Sequence, residues 1–381
     1  MIGRPDSSLA VLGTGCVGVL GTALCALVGW PAAIAAQSAE ARRLPAEQLI
    51  VLHPTRGEAA LVSPASRAVL TRLRTGAGSH EVALSPDSRY AYVANYGSVG
   101  TEFDGERPGP AAGLARGISR HAGPGGTGSI TVLDLVSATV LTTLYPGPYR
   151  RLHGIRVSPN GRRLWLTAEA DSGVLELDAR TGALLMLWKT GGADSHTLVA
   201  SPEGRKLFVA NRGSSNVTVL DRATVVAHRI PTGPFPEGID ISPDGREVWV
   251  ASRGDHSLTV IDARKQRAVA RLPSGGTDPV RLRFSPDGRE VWVASRGSRG
   301  LAVFDVRSRE LIGRVALEAE PWALVFAPDG RELFVGTPAD GRVVVVDVRR
   351  RQVSDAFSVG PVPAGLAWSR LAPPVAAAGG Q

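Results

Sequence analysis

From residue 49 onward, apolar residues come in short runs broken by turns rich in Pro, Asp, Ser and Gly, and no stretch carries a helical stripe of useful length. Ser242–Phe284 shows the pattern best, and Ser285–Phe326 repeats it almost residue for residue. Each copy opens on Ser-Pro-Asp-Gly. Pro presets φ, Asp bonds its own backbone and Gly takes the φ > 0 position. The opener, or a relaxed form, recurs at Ser85, Ser158, Ser201, Ser242, Ser285 and Ala327, with a degenerate form at Ser369. The spacings are 73, 43, 41, 43, 42 and 42 residues, so one unit carries an insertion of about 31. A fixed period of this length marks a repeat architecture.

Within a unit, Glu247-Val248-Trp249-Val250-Ala251 alternates like a strand, Arg253-Gly254-Asp255 is a small turn, and Leu258–Asp262 and Ala268–Leu272 are further strands. A fourth, Val280–Phe284, runs into the next opener. Four antiparallel strands per unit make a propeller blade, and the units number seven. The fold class is all-β, a seven-bladed β-propeller. Leu49–His53 aligns with a second strand, so the first unit lacks its innermost one; Pro363–Trp368 supplies an innermost strand with no blade after it. The C-terminal strand is therefore expected to complete the N-terminal blade and close the ring. The boundaries follow as 1–36 signal peptide, 37–48 linker, 49–370 propeller and 371–381 disordered tail, with 97–128 an inserted loop over the channel face.

The N-terminal segment changes the setting. Arg4 precedes an apolar run, Leu9–Val28, and Ala33-Ile34-Ala35 offers a cleavage site, as in an export signal. The protein is then periplasmic or secreted, and touches a membrane only if the segment stays uncleaved. Both cysteines, Cys16 and Cys25, lie inside it. A mature chain without cysteine has no disulfide, no thiolate metal site and no covalent haem. The net charge of +8 comes from arginines scattered over turns and strand edges. With no basic helix to enter a groove, no nucleic-acid partner is expected, while small anions are.

Register then singles out candidate chemistry. Five residues before each opener, at the start of the innermost strand, the ring reads His80, His153, His196, Glu237, Val280, Trp322, Ala364. Three histidines and a carboxylate at one position of consecutive blades can converge on a divalent metal, with His80, His153, His196 and Glu237 as ligands. Eleven residues after each opener the ring reads Pro54, Tyr96, Glu169, Arg212, Arg253, Arg296, Pro338. Arg212, Arg253 and Arg296 would hold an anionic group, Tyr96 and Trp322 would wall the pocket, and Glu169 and Glu237 are the candidate catalytic carboxylates. One residue earlier stand His53, Asn95, Ala168, Asn211, Ser252, Ser295 and Thr337, expected around the same face. The aspartates Asp134, Asp178, Asp221, Asp262, Asp305 and Asp347 end third strands and read as turn caps. His228 and His256 read as structural or solvated, and His121 lies in the insertion.

Leu207–Asp221, LFVANRGSSNVTVLD, resembles the YVTN-type propeller repeat, and Ser79–Ser98 is similar to lactonase-like propellers of the 6-phosphogluconolactonase kind. The resemblance covers residues 49 to about 369 and implies a propeller that is a lactonase, a dehydrogenase subunit or a surface-layer protein. The expected partner is a small anionic molecule, and the expected activity lactonase-like hydrolysis with a divalent metal. The alternatives are a non-catalytic scaffold for an envelope protein and an accessory subunit of a periplasmic redox enzyme.

Overall fold

The middle strands explain the architecture. Glu247–Ser252 and Glu290–Ser295 share the sequence EVWVAS, and all but the first residue of each are buried. Along the first, Val248 and Val250 pack into one hydrophobic cluster and Trp249 and Ala251 into the next. The alternation is thus between two apolar faces rather than between core and water, as expected of a sheet covered on both sides.

The computed structural model describes residues 44–97 and 127–371, which form seven four-stranded antiparallel sheets. The expected export signal, most of the expected linker, residues 98–126 of the insertion (His121 included) and residues 372–381 lie outside the described residues. We number the blades in chain order. Blade 1 holds Glu47–His53, Glu58–Val62 and Val69–Arg74. Blades 2 to 7 begin with innermost strands Ser79–Leu84, Leu152–Val157, Ser195–Ala200, Pro236–Ile241, Pro279–Phe284 and Ala323–Phe326. Gly365–Arg370 pairs antiparallel with Glu47–His53, Glu47 opposite Arg370, and becomes the innermost strand of blade 1, as expected. The first strand begins at Glu47, two residues ahead of the expected onset. The insertion joins Tyr90–Asn95 to Ser129–Asp134, which pair in register up to Asn95 and Ser129.

Among the described residues the core is seven clusters, each shared by two adjacent blades, including blades 7 with 1 and 1 with 2. The openers interlock between blades as well. Gly204 and Gly245 sit at φ +70°, and a Cβ on either would lie 2.7 Å from the Cδ of Pro159 or Pro202 in the preceding opener. Glycine is needed there both for its backbone and for the space. The six aspartates cap turns, as at Asp262, whose Oδ1 accepts the amides of Arg264 and Lys265.

No helix among the described residues is long and apolar enough to cross a membrane.

Candidate functional site

A β-bulge delivers the first ring. Pairing of the innermost strand with its neighbour slips between Ser79 and Glu81, Ser195 and Thr197, Pro236 and Gly238, and Pro279 and Arg281. The residues passed over are His80, His196, Glu237 and Val280. In blade 3 the slip spans His153 and Gly154. A bulge re-aims the side chain it carries, and here it turns residues of consecutive blades toward one another. The imidazoles of His80 and His153 lie 4.3 Å apart between centroids, those of His153 and His196 4.1 Å apart. Glu169 follows on a short 3-10 turn, Glu169–Asp171, and is buried.

His196 is the hinge of the cluster. Its Nδ1–H donates to Glu169 Oε1 at 2.5 Å, and its Nε2 lies 3.7 Å from Glu237 Oε1. Burial opposes its charged form, but Glu169 and Glu237 together outweigh it and raise the pKa. His153 behaves oppositely. It is 1% exposed, and burial followed by repulsion from His196 and His80 lowers its pKa well below the ordinary value. Neither of its ring nitrogens has a hydrogen-bond partner, which is unusual for a buried polar group. One ligand atom each from His153, His196 and Glu169 falls within 4.8 Å of the others, the one such trio among the described residues. Of the expected metal set, His153 and His196 are in it. His80 stacks on His153, and Glu237 is drawn toward Arg253 at 3.2 Å; burial raises the Glu237 pKa, but His196 and Arg253 more than offset this and lower it. Glu169, expected as a base, takes the third place.

The second ring is present, but its arginines face the protein's own carboxylates. Arg212 Nε–H donates to Asp194 at 2.8 Å, Arg253 Nε–H to Asp278 at 2.6 Å and Arg296 Nε–H to Asp278 at 3.0 Å. Arg296 also stacks over Trp322, 5.1 Å from the ring centroid. Tyr96 O–H donates to Glu169 Oε2 at 2.5 Å and accepts from Arg151 Nε–H at 2.5 Å. Burial first, then Glu169, raises the Tyr96 pKa far enough to keep it neutral. Arg151 Nη2 reaches Glu169 Oε2 at 2.8 Å. The mouth therefore sets Arg151, Arg212, Arg253 and Arg296 against Glu169, Asp194, Glu237 and Asp278, four charges of each sign. In the series one residue before the second ring, Asn95 accepts the Gly76 amide and donates to Ser129 and Thr131, and His53 Nδ1–H donates to the Pro361 carbonyl at 2.7 Å.

Register reading passed over Arg151, Asp194 and Asp278. They share a position seven residues before the opener with Gly78, Phe235 and Val362, all in the left-handed region at φ +53° to +67°. Counting two places further back would have found them.

The pKa directions fix a pH profile for the protein kept metal-free with chelator. The raised His196 contributes fully below pH 6.5 and less as the pH rises through its folded value. His153 and His53 are depressed, so their contribution is full above pH 6.5 and is lost as the pH falls. For His53, lowered to about 4 by burial, that loss is about 3 kcal/mol. Stability by urea denaturation is expected to peak near pH 6.5, with the acid limb shallower in His53→Gln. A stability that keeps climbing on the alkaline side would contradict the His196 environment.

Comparison with known proteins agrees with the expected lactonase-like propeller at the level of the fold. The family described as YNCE-like beta-propeller matches residues 174–280, and that described as Cytochrome D1 heme domain matches residues 244–378. The sequence matches no curated protein. Among solved structures, the periplasmic gluconolactonase PpgL of Pseudomonas aeruginosa superposes with a TM-score of 0.65 at 21% identity, covering 86% of this chain and 99% of that one. Dihydro-heme d1 dehydrogenase NirN gives 0.61 at 16%, covering 84% and 65%. Hydrazine synthase of Kuenenia stuttgartiensis gives 0.60 at 17%, covering 76% and 88%.

Proposed function

We propose that the protein is an exported, lactonase-like hydrolase of small anionic carbonyl compounds, with a divalent metal held by His153, His196 and Glu169 at the mouth of the propeller channel. The carrying observation is His153, buried with both nitrogens unpartnered beside a second imidazole and a carboxylate. Two imidazoles and a carboxylate suit a divalent first-row ion. A tetrapyrrole suits the site less well. The haem-domain match spans blades 5 to 7 and the closing strand of blade 1, while the histidines stand on blades 2 to 4. Export rests on residues 1–36, and the periplasmic gluconolactonase supports both compartment and substrate class.

When bound, the ion would polarise a carbonyl and activate water. The chain supplies the rest. His196 must release its extra proton to become a ligand, so metal affinity rises with pH. Glu237, a carboxylate at neutral pH and held by Arg253, is placed to accept a proton beside His196 Nε2. Tyr96 and Arg151 fix Glu169. With four charges of each sign at the mouth, a bound cation leaves a positive excess for an anionic substrate to neutralise, with Arg212, Arg253 and Arg296 around it.

The test is elemental analysis of the mature protein beside a His80/His153/His196 triple-alanine variant, followed by lactone hydrolysis. About one metal per chain, lost in the variant together with hydrolysis, is expected. No metal in either protein would overturn the reading and leave an envelope-binding scaffold.

A further inference from the structure

Below the histidine cluster the channel carries its own charges. Four residues before the opener stand Glu81 of blade 2 and Arg281 of blade 6, and Arg281 Nη1 meets Glu81 Oε1 at 2.7 Å. Their blades lie on opposite sides of the ring, so the pair spans the channel. Both side chains are nearly buried, 8% and 11% exposed. Although burial opposes it, the arginines hold the Glu81 carboxyl down at about 2, Arg281 most strongly, then Arg156 and Arg283.

Two residues further along each strand, Arg156, Asp240 and Arg283 share one level, on blades 3, 5 and 6. Their pairing is incomplete. Arg283 Nη1 lies 3.9 Å from Asp240 Oδ1, and Asp240 Oδ2 is already taken by the Phe284 amide. Each guanidinium turns back to the carbonyl before it, Arg156 to Ile155 at 2.7 Å and Arg283 to Leu282 at 3.3 Å. Among the described residues no carboxylate lies within ion-pair distance of Arg156. Three arginines thus face two carboxylates, Glu81 and Asp240. Arg156 sits deep inside the ring yet is not fully closed off from solvent. Burial, then the Arg283 charge, lowers its pKa to about 10. A cation at that depth with no carboxylate in direct contact is costly unless a counter-charge joins it.

We propose that this level of the channel is an anion site, in which the guanidinium groups of Arg156 and Arg283 hold a phosphate-sized oxyanion on the far side of the Glu81–Arg281 bridge from the histidine cluster. An oxyanion offers the paired acceptors that a guanidinium fork requires. It would also balance the three-to-two excess. The site is separate from the metal-binding trio and stands whether or not that trio binds a metal.

Titration calorimetry and thermal unfolding with inorganic phosphate, at constant ionic strength made up with chloride, test it. With the protein kept metal-free by chelator, so that the mouth carries no bound cation, wild type and His153→Ala should bind phosphate equally, at about one site per chain. Arg156→Gln and Arg283→Gln should each weaken binding about tenfold or more. In chloride alone, Arg156→Gln should melt higher than wild type, because the unpaired charge is gone, and phosphate should reverse that order. The proposal fails if phosphate stabilises no more than chloride, if both arginine variants bind as wild type does, or if binding is lost in His153→Ala instead. Should Arg156→Gln not fold, Arg283→Gln decides by the same comparison.

Discussion

Glu169→Ala lowers the unfolding free energy by about 3–5 kcal/mol, read as a drop in urea midpoint at unchanged slope. The Glu169 side chain is fully buried and is the common acceptor of the cluster. Tyr96, Arg151 and His196 all donate to it, and Arg212 Nη2 lies 4.0 Å away. Alanine would leave a buried imidazole and a half-buried phenol without their acceptor. Arg212 keeps Asp194 and Arg151 is partly exposed, so these two relax more easily. Glu169→Gln retains an acceptor and should fall between. A loss below about 1 kcal/mol for Glu169→Ala would mean that the carboxylate is effectively solvated and that the cluster is loose.

Removal of Gly365–Arg370 abolishes cooperative folding. The strand contributes Leu366, Ala367 and Trp368 to the clusters on both sides of blade 1, and its loss bares the whole inner edge of Glu47–His53. Trp and Leu truncations of this kind cost about 2–5 kcal/mol each, which together approaches the margin of an ordinary domain. The Leu371 amide donates to the Ala46 carbonyl at 2.8 Å, so the two ends of the ring are adjacent. A permutant that joins 371 to 44 through a short linker and opens between 364 and 365 keeps every strand pair and should fold. Circular dichroism and a single thermal transition distinguish the truncated protein from the permutant. If the truncated chain melts as wild type does, the closing strand adds little and the ring is held by its other interfaces.

Most of the fold was legible because one turn motif recurs at a near-constant period, and its chemistry states where each blade begins. The register that counts blades also located His80, His153, His196, Glu169 and Glu237. What escaped it has two physical causes. The bulges that aim the first ring are departures from strand pairing, and they leave no mark in the alternation of side chains. The other cause is distance along the chain. Glu81 and Arg281 are 200 positions apart and pair only because a seven-membered ring sets their strands face to face. Arg151, Asp194 and Asp278 sit in connections that look like ordinary loop variation until the left-handed residue two places before each bulge is seen to recur. The arginine arc was found, but its neutralisation by Asp194 and Asp278 was not, and that neutralisation shifts the expected source of anion affinity away from the arginines alone.

The pairing of Glu47 with Arg370 also sets a schedule. A chain made from its N-terminus presents blade 1 first and completes it last. Throughout synthesis the strand Glu47–His53 stands with a bare hydrogen-bonding edge, while six later blades are added around it. Contacts across so long a stretch of chain form slowly, and an unpaired edge recruits whatever strand comes by. The interval before the last strand arrives is therefore when two nascent copies are most prone to exchange closing strands, and crowding of unfinished chains, more than heat, should be what this protein tolerates least.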